Sequence, residues 1–258
     1  MRKIILISIS ALLLSNLALF AQNKTDNKGQ KQGAWSKTYP NGALMYEGTF
    51  KDDKPTGLFK HYYESGKLKI EQNYLTGDIS EVKMYENDGK TIAATGKYIG
   101  KLKEGEWRYY LENRLTLIEN FKDGKKEGVT IVYSKSGMII EEIPYKEGKI
   151  TGIRRNFLED GKIYSEISYK DDLEDGYYKL FEGNEKPVAD GFYVAGKKDG
   201  EWNFYDEKGK ITETLKYQNG FLLNNKELKK ERSRAFDKYE QNKNKYREPD
   251  DWTGGNPF

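Results

Sequence analysis

A small residue returns at nearly constant intervals through most of this chain. Gly33, Gly57, Ser80, Gly105, Gly128, Gly152, Gly176 and Gly200 are separated by 24, 23, 25, 23, 24, 24 and 24 residues. A fixed period of this size means a repeat architecture, in which each period is one supersecondary unit that cannot bury its apolar face alone. This constraint outranks the others because it replaces a globular core with a stack.

Positions within the period are specialised. Two residues after the opening residue stands an aromatic in five units: Trp35, Phe59, Trp107, Tyr178 and Trp202. Five residues after it come Tyr62, Tyr85, Tyr110, Tyr133, Phe157, Phe181 and Tyr205, and nine after it a turn glycine such as Gly42, Gly66 or Gly209. Beyond that glycine, alternate positions read Leu68, Ile70, Gln72, Tyr74, or Ile163, Ser165, Ile167, Tyr169. A period of two is that of a strand with one covered face and one wet face. A second turn, for example Lys122-Asp123-Gly124-Lys125, closes each unit. The unit is therefore strand, turn, strand, turn: one β-hairpin.

A lone hairpin is marginal in water, so successive hairpins must stack edge to edge. The expected fold is an all-β repeat, an elongated antiparallel sheet of about eight stacked β-hairpins over residues 33–223. Sixteen strands at about 4.8 Å would make a twisted sheet on the order of 75 Å long. Aromatics two and five residues after the opening residue fall on opposite faces of a regular strand, which leaves open a bulge or aromatic side chains on both faces. Two units depart from the pattern. The third has Ser80 and Val82 at the glycine and aromatic positions, and the fourth has Asn113-Arg114 at its turn and is one residue short before Phe121. A local irregularity is expected there.

The ends read differently. Residues 1–21 have the layout of a secretory signal peptide: Arg2 and Lys3, an apolar run from Ile4 to Leu19 too short to span a membrane, then Phe20-Ala21. Residues 22–32 read as a linker. Repeat arrays need capping, and Asn224-Asn225-Lys226-Glu227 has the form of a helix capping box, followed by Leu228, Ala235, Phe236, Tyr239 and Tyr246 on one stripe. A C-terminal capping α-helix is expected over 224–247. The tail at 248–258 has no periodicity but carries Trp252 and Phe258, aromatics suited to docking.

Little in the sequence points to catalysis. The chain has no cysteine, so it has no disulfides, thiolate metal site or thiol nucleophile, and its single histidine, His61, occupies a generic strand position. The carboxylate pairs Asp52-Asp53 and Asp171-Asp172 recur at the same inter-unit turn, where Asp is favoured for backbone reasons. No catalytic residue, cofactor or metal ligand is assigned. Formal charge is +3, falling to +1 without Arg2 and Lys3, which is no footprint for nucleic acid. The strands carry too many charges for the lipid face of a barrel.

The segments Gly105-Glu106-Trp107-Arg108-Tyr109-Tyr110 and Gly200-Glu201-Trp202-Asn203-Phe204-Tyr205-Asp206-Glu207-Lys208-Gly209 closely resemble the MORN-repeat variant of bacterial proteins in the YwqK-like antitoxin family. The resemblance covers about residues 33–223 and implies a hairpin sheet serving as a protein-interaction surface. The expected function is an exported protein-binding scaffold or adaptor of the bacterial cell envelope, periplasmic, outer-membrane-associated or extracellular. Its partner would be a protein, with Trp107 and Trp202 on the sheet and Trp252 and Phe258 in the tail as contact residues. No transmembrane segment remains after signal cleavage, so any membrane association would run through the partner. The alternative that the resemblance implies is an antitoxin or immunity protein that neutralises a toxin by direct binding.

Overall fold

The computed structural model describes residues 23–183 and 186–223. They form a single antiparallel sheet of twenty strands, and no helix occurs among them. The long strands pair in chain order, and the two-residue strands Lys125–Lys126 and Lys149–Ile150 pair only with the strand before each. The first unit joins Lys31–Thr38 to Leu44–Lys51, the fourth joins Leu102–Leu111 to Arg114–Lys122, and the eighth joins Lys197–Tyr205 to Ile211–Gln218. The expected capping helix at 224–247 and the signal peptide both lie outside the described residues.

Turn chemistry sets the register. At the inter-unit turns, Asp52-Asp53 and Asp171-Asp172 have φ of 52° and 63°, and of 50° and 70°. Two consecutive positive φ values make the two-residue turn whose twist matches that of the flanking strands. These carboxylates also do local structural work: the backbone N–H groups of Lys31 and Ile150 each donate to Asp53 and Asp172 Oδ1 at 2.7 Å. Each turn is tied to the one before it, because Asp53, Gly124, Gly148, Asp172, Gly196 and Gly220 donate their N–H to the carbonyls of Lys31, Lys103, Lys126, Ile150, Glu174 and Lys198.

The opening glycine has its own task. Gly57, Gly105 and Gly200 adopt φ of 65°, 65° and 70°, which costs glycine little and other residues more. There the register slips, so that Gly57, Leu58 and Phe59 stand against the single Gly48, and Gly105, Glu106 and Trp107 against Gly96. The result is a bulge at the seam. At the third unit the seam runs straight through Tyr74↔Ser80, Asn73↔Glu81 and Gln72↔Val82, and Ser80 is buried with Gln72 Nε2 donating to its Oγ at 2.8 Å. Serine in place of glycine keeps the extended conformation and the bulge disappears. The fourth unit's short hairpin is likewise accounted for by a two-residue turn at Glu112-Asn113, φ 50° and 64°.

The sheet begins inside the stretch read as a linker. Lys24–Thr25 pairs with Gln32 and Lys31, and the Asn23 side chain bonds both backbone groups of Ser36. An amide side chain so placed mimics a neighbouring strand and covers the first edge.

Candidate interaction surface

Aromatic residues occupy both faces. On one face, here called inner, lie the residues two and four places after each opening residue together with Ile70, Tyr98, Ile143, Ile167 and Tyr193 of the return strands. The tyrosines five places after the opening residue lie on the other: Tyr62 and Tyr85 donate to Glu47 and Glu71 at 2.6 Å, and Tyr205 donates to Asp190. Burial and the carboxylate together push the Tyr85 phenol up to about 12. Bulges therefore sit at the seams and also beside the hairpin turns, and aromatics on both faces.

Trp107 and Trp202, expected as contact residues, are both 0% exposed. A single-layer sheet buries them by three devices. Each indole lies over a strand glycine, and a Cβ on Gly96 or Gly191 would sit 2.2 or 2.3 Å from the ring. Each indole N–H donates to a carbonyl beside that glycine, Lys97 at 3.1 Å and Phe192 at 3.2 Å. Each ring is then roofed by the lysine two places before the opening residue, with Lys103 and Lys198 Nζ 4.5 Å from the centroids. Burial among these rings holds the Lys103 ammonium below the usual lysine range. The two tryptophans are thus core residues, and their side chains are not on offer to a partner. Trp252 and Phe258 lie outside the described residues.

The inner face is not uniformly apolar. One buried cluster gathers Ile70, Val82, Tyr98 and Trp107, and a second gathers Ile167, Tyr178, Leu180, Tyr193, Trp202 and Phe204. Between them lie charged groups, with Lys126 bound to the buried Glu119 at 3.0 Å and Arg154 bound to the buried Glu141. His61, also on this face, has its ring 6.0 Å from that of Tyr46. Burial, and secondarily the charge of Lys69, push its imidazole below the ordinary range. The unfolded chain then takes up the proton more readily, so stability is lost as pH falls below about 6.5. His61→Tyr, which copies Tyr109 at the same place in the fourth unit, should flatten that part of the profile. Thermal unfolding from pH 8 to 5 checks it, and parallel profiles would refute it.

The outer face carries a surface that the repeating positions of the sequence do not reveal. One residue after the opening glycine come Val129, Ile153 and Tyr177, exposed to 41%, 45% and 68%. Their cross-strand partners are Pro144, Ser168 and Phe192. Tyr177 and Phe192 meet edge to face at 5.1 Å, Pro144 borders Gly152, and Ser168 borders Gly176. These contacts join the fifth, sixth and seventh units into one stripe. At its ends the same positions turn charged: Glu106 pairs with Arg108 at 2.7 Å, and Glu201 with Lys216 at 2.9 Å. Bounded apolar patches of this kind mark interaction sites.

Among the described residues, no group of three or more His, Asp or Glu could hold a metal ion. A shallow open hollow lined by Phe121, Lys126, Tyr145, Ile150 and Asp172 lies toward the inter-unit turns. No described helix is long and apolar enough to cross a membrane.

A family model described as the MORN repeat variant matches residues 31–52, 55–75, 126–147, 150–171 and 198–219. These are the first, second, fifth, sixth and eighth hairpins, and the unmatched third, fourth and seventh have the same strand pairing. No curated protein matches the chain.

Proposed function

We propose that the chain acts as a repeat binding scaffold that holds a protein partner on its outer face, a reading supported by the five segments that match the MORN repeat variant. The stripe Val129–Pro144–Ile153–Tyr177–Phe192 carries this reading, as an exposed apolar surface shared by three units while both buried tryptophans stay inside. Association through it is noncovalent and needs no catalytic group. The location we propose is the bacterial cell envelope, supported by the basic start, short apolar run and Ala21 of the first 21 residues.

Affinity capture from gently solubilised envelope, with Tyr177→Glu beside the unaltered chain, tests this. A charge at the centre of an apolar contact should reduce recovery of the partner at least about tenfold, as anchor residues do. Lys83→Glu, on the outer face of the third unit, should leave it unchanged. Equal recovery with Tyr177→Glu would remove the stripe as the contact surface, and capture of nothing by the unaltered chain would remove the scaffold reading.

A further inference from the structure

Two rows of side chains cross the outer face in register. In the row that holds the stripe stand, strand by strand, the pairs Glu106↔Asn120, Val129↔Pro144, Ile153↔Ser168, Tyr177↔Phe192 and Glu201↔Lys216. Two residues along the strands, a second row runs Glu142↔Arg155↔Glu166↔Lys179 with alternating charge. Within it Arg155 reaches Glu166 at 2.9 Å and Glu142 at 3.7 Å.

The two rows share a centre, which lies between the strands of Ile153 and Ser168. Outward from it the first row meets Pro144 and Tyr177, then Val129 and Phe192, then Asn120 and Glu201, and last Glu106 and Lys216. The second meets Arg155 and Glu166, then Glu142 and Lys179. Apolar residues answer apolar ones at equal distances, and charge answers opposite charge. Asp190, which comes next and answers Ile131, already accepts hydrogen bonds from Asn203 and Tyr205. Such a face complements its own copy turned over about an axis along the strands. A uniformly twisted sheet keeps its surface under that rotation, and sheets packed face to face hold their strands within about 30° of each other.

We propose that the partner on the outer face is a second copy of this chain, the two stripes meeting about a twofold axis along the strands between Ile153 and Ser168. The inference rests on the stripe being a contact surface and gives that surface its occupant. Tyr177 of each copy packs on Pro144 of the other, and Phe192 on Val129, while Glu142 meets Lys179 and Glu106 meets Lys216. Ten strands at about 4.8 Å and two rows about 7 Å apart make a contact on the order of 600 Å² per copy, or about 1,200 Å² in all, which reaches the range of stable pairs. The turn side, where Lys125, Lys146, Lys149 and Lys170 mix with Glu127, Glu147 and Asp171, becomes a rim of both signs whose long lysines keep their ammonium groups in water.

Sedimentation equilibrium of the purified full chain at micromolar concentration should give twice the mass of one chain. Tyr177→Glu enters a twofold interface twice, so it should weaken self-association about a hundredfold, at about tenfold for each anchor. Glu142→Lys sets two lysines against each other across the axis, and Lys179→Glu sets two glutamates, so each variant should self-associate at least about tenfold more weakly. An equimolar mixture of these two variants restores opposite charges at both places and should associate as tightly as the unaltered chain. A monomer, a dimer indifferent to Tyr177→Glu, or a mixture no tighter than its components would each overturn the proposal. The failures are distinguishable: a monomer whose envelope capture still depends on Tyr177 overturns the second copy and leaves the scaffold reading intact with a different partner, whereas a dimer that ignores Tyr177→Glu removes the stripe from both.

Discussion

Trp202→Ala is expected to cost about 3–5 kcal/mol, the range for truncating a large buried aromatic. The indole is wholly buried, stacks on Tyr178 at 5.1 Å, meets Tyr193 at 5.0 Å and lies beneath Lys198. Its removal leaves a cavity that Gly191 cannot help to fill and exposes the carbonyl of Phe192 that the N–H had bonded. Trp35→Ala is the contrast. Trp35 is only partly buried, and its N–H reaches Lys24 and Gln32 at the sheet's first edge, so the loss should be well under half as large. Urea unfolding of both variants, followed by far-ultraviolet circular dichroism, checks the order; equal losses would mean that the seam glycine adds nothing, since Lys31 roofs Trp35 as Lys198 roofs Trp202.

Gly96→Ala should also destabilise, for the opposite reason. A methyl group there would sit 2.2 Å from the Trp107 ring, a rigid group with no room to swing away. Overpacking of this kind costs about 1–3 kcal/mol and occasionally more. The ring is the obstacle, so Gly96→Ala added to Trp107→Ala should cost almost nothing further. A double-mutant cycle measures that coupling. Additive losses would show that Gly96 matters for its backbone and not for the ring above it.

These two expectations rest on features of unequal visibility in the sequence. The unit length, the hairpin and the turns were legible because Gly33 to Gly200 recur evenly and Asp52-Asp53 and Asp171-Asp172 recur at one place in the unit. Burial of Trp107 and Trp202 was not, because a single-layer sheet offers no second layer to supply an inside. The signal was present in another form: Gly48, Gly96 and Gly191 each stand eleven residues before Phe59, Trp107 and Trp202. A glycine inside a strand marks a close approach, and its fixed distance to an aromatic names what approaches. The outer stripe was hidden for a related reason. Attention to the repeating positions passes over the one where the units differ, Val129, Ile153 and Tyr177 against Glu81, Glu106 and Glu201.

The charged stretch between the two inner aromatic clusters has a consequence for how the molecule comes apart. Substantial contacts run only between neighbouring strands, so the array is a row of nearest-neighbour couplings in which stability is summed along a line. Glu119, Lys126, Glu141 and Arg154 place two ion pairs in that line beside the buried Ile143 and Tyr145, and the worth of such pairs after desolvation is small. Cooperativity is therefore divided there. Melting of the Trp202 block can halt at this seam while the Trp107 block stays folded, giving two transitions in place of one, and damage at one end of the protein is insulated from the other.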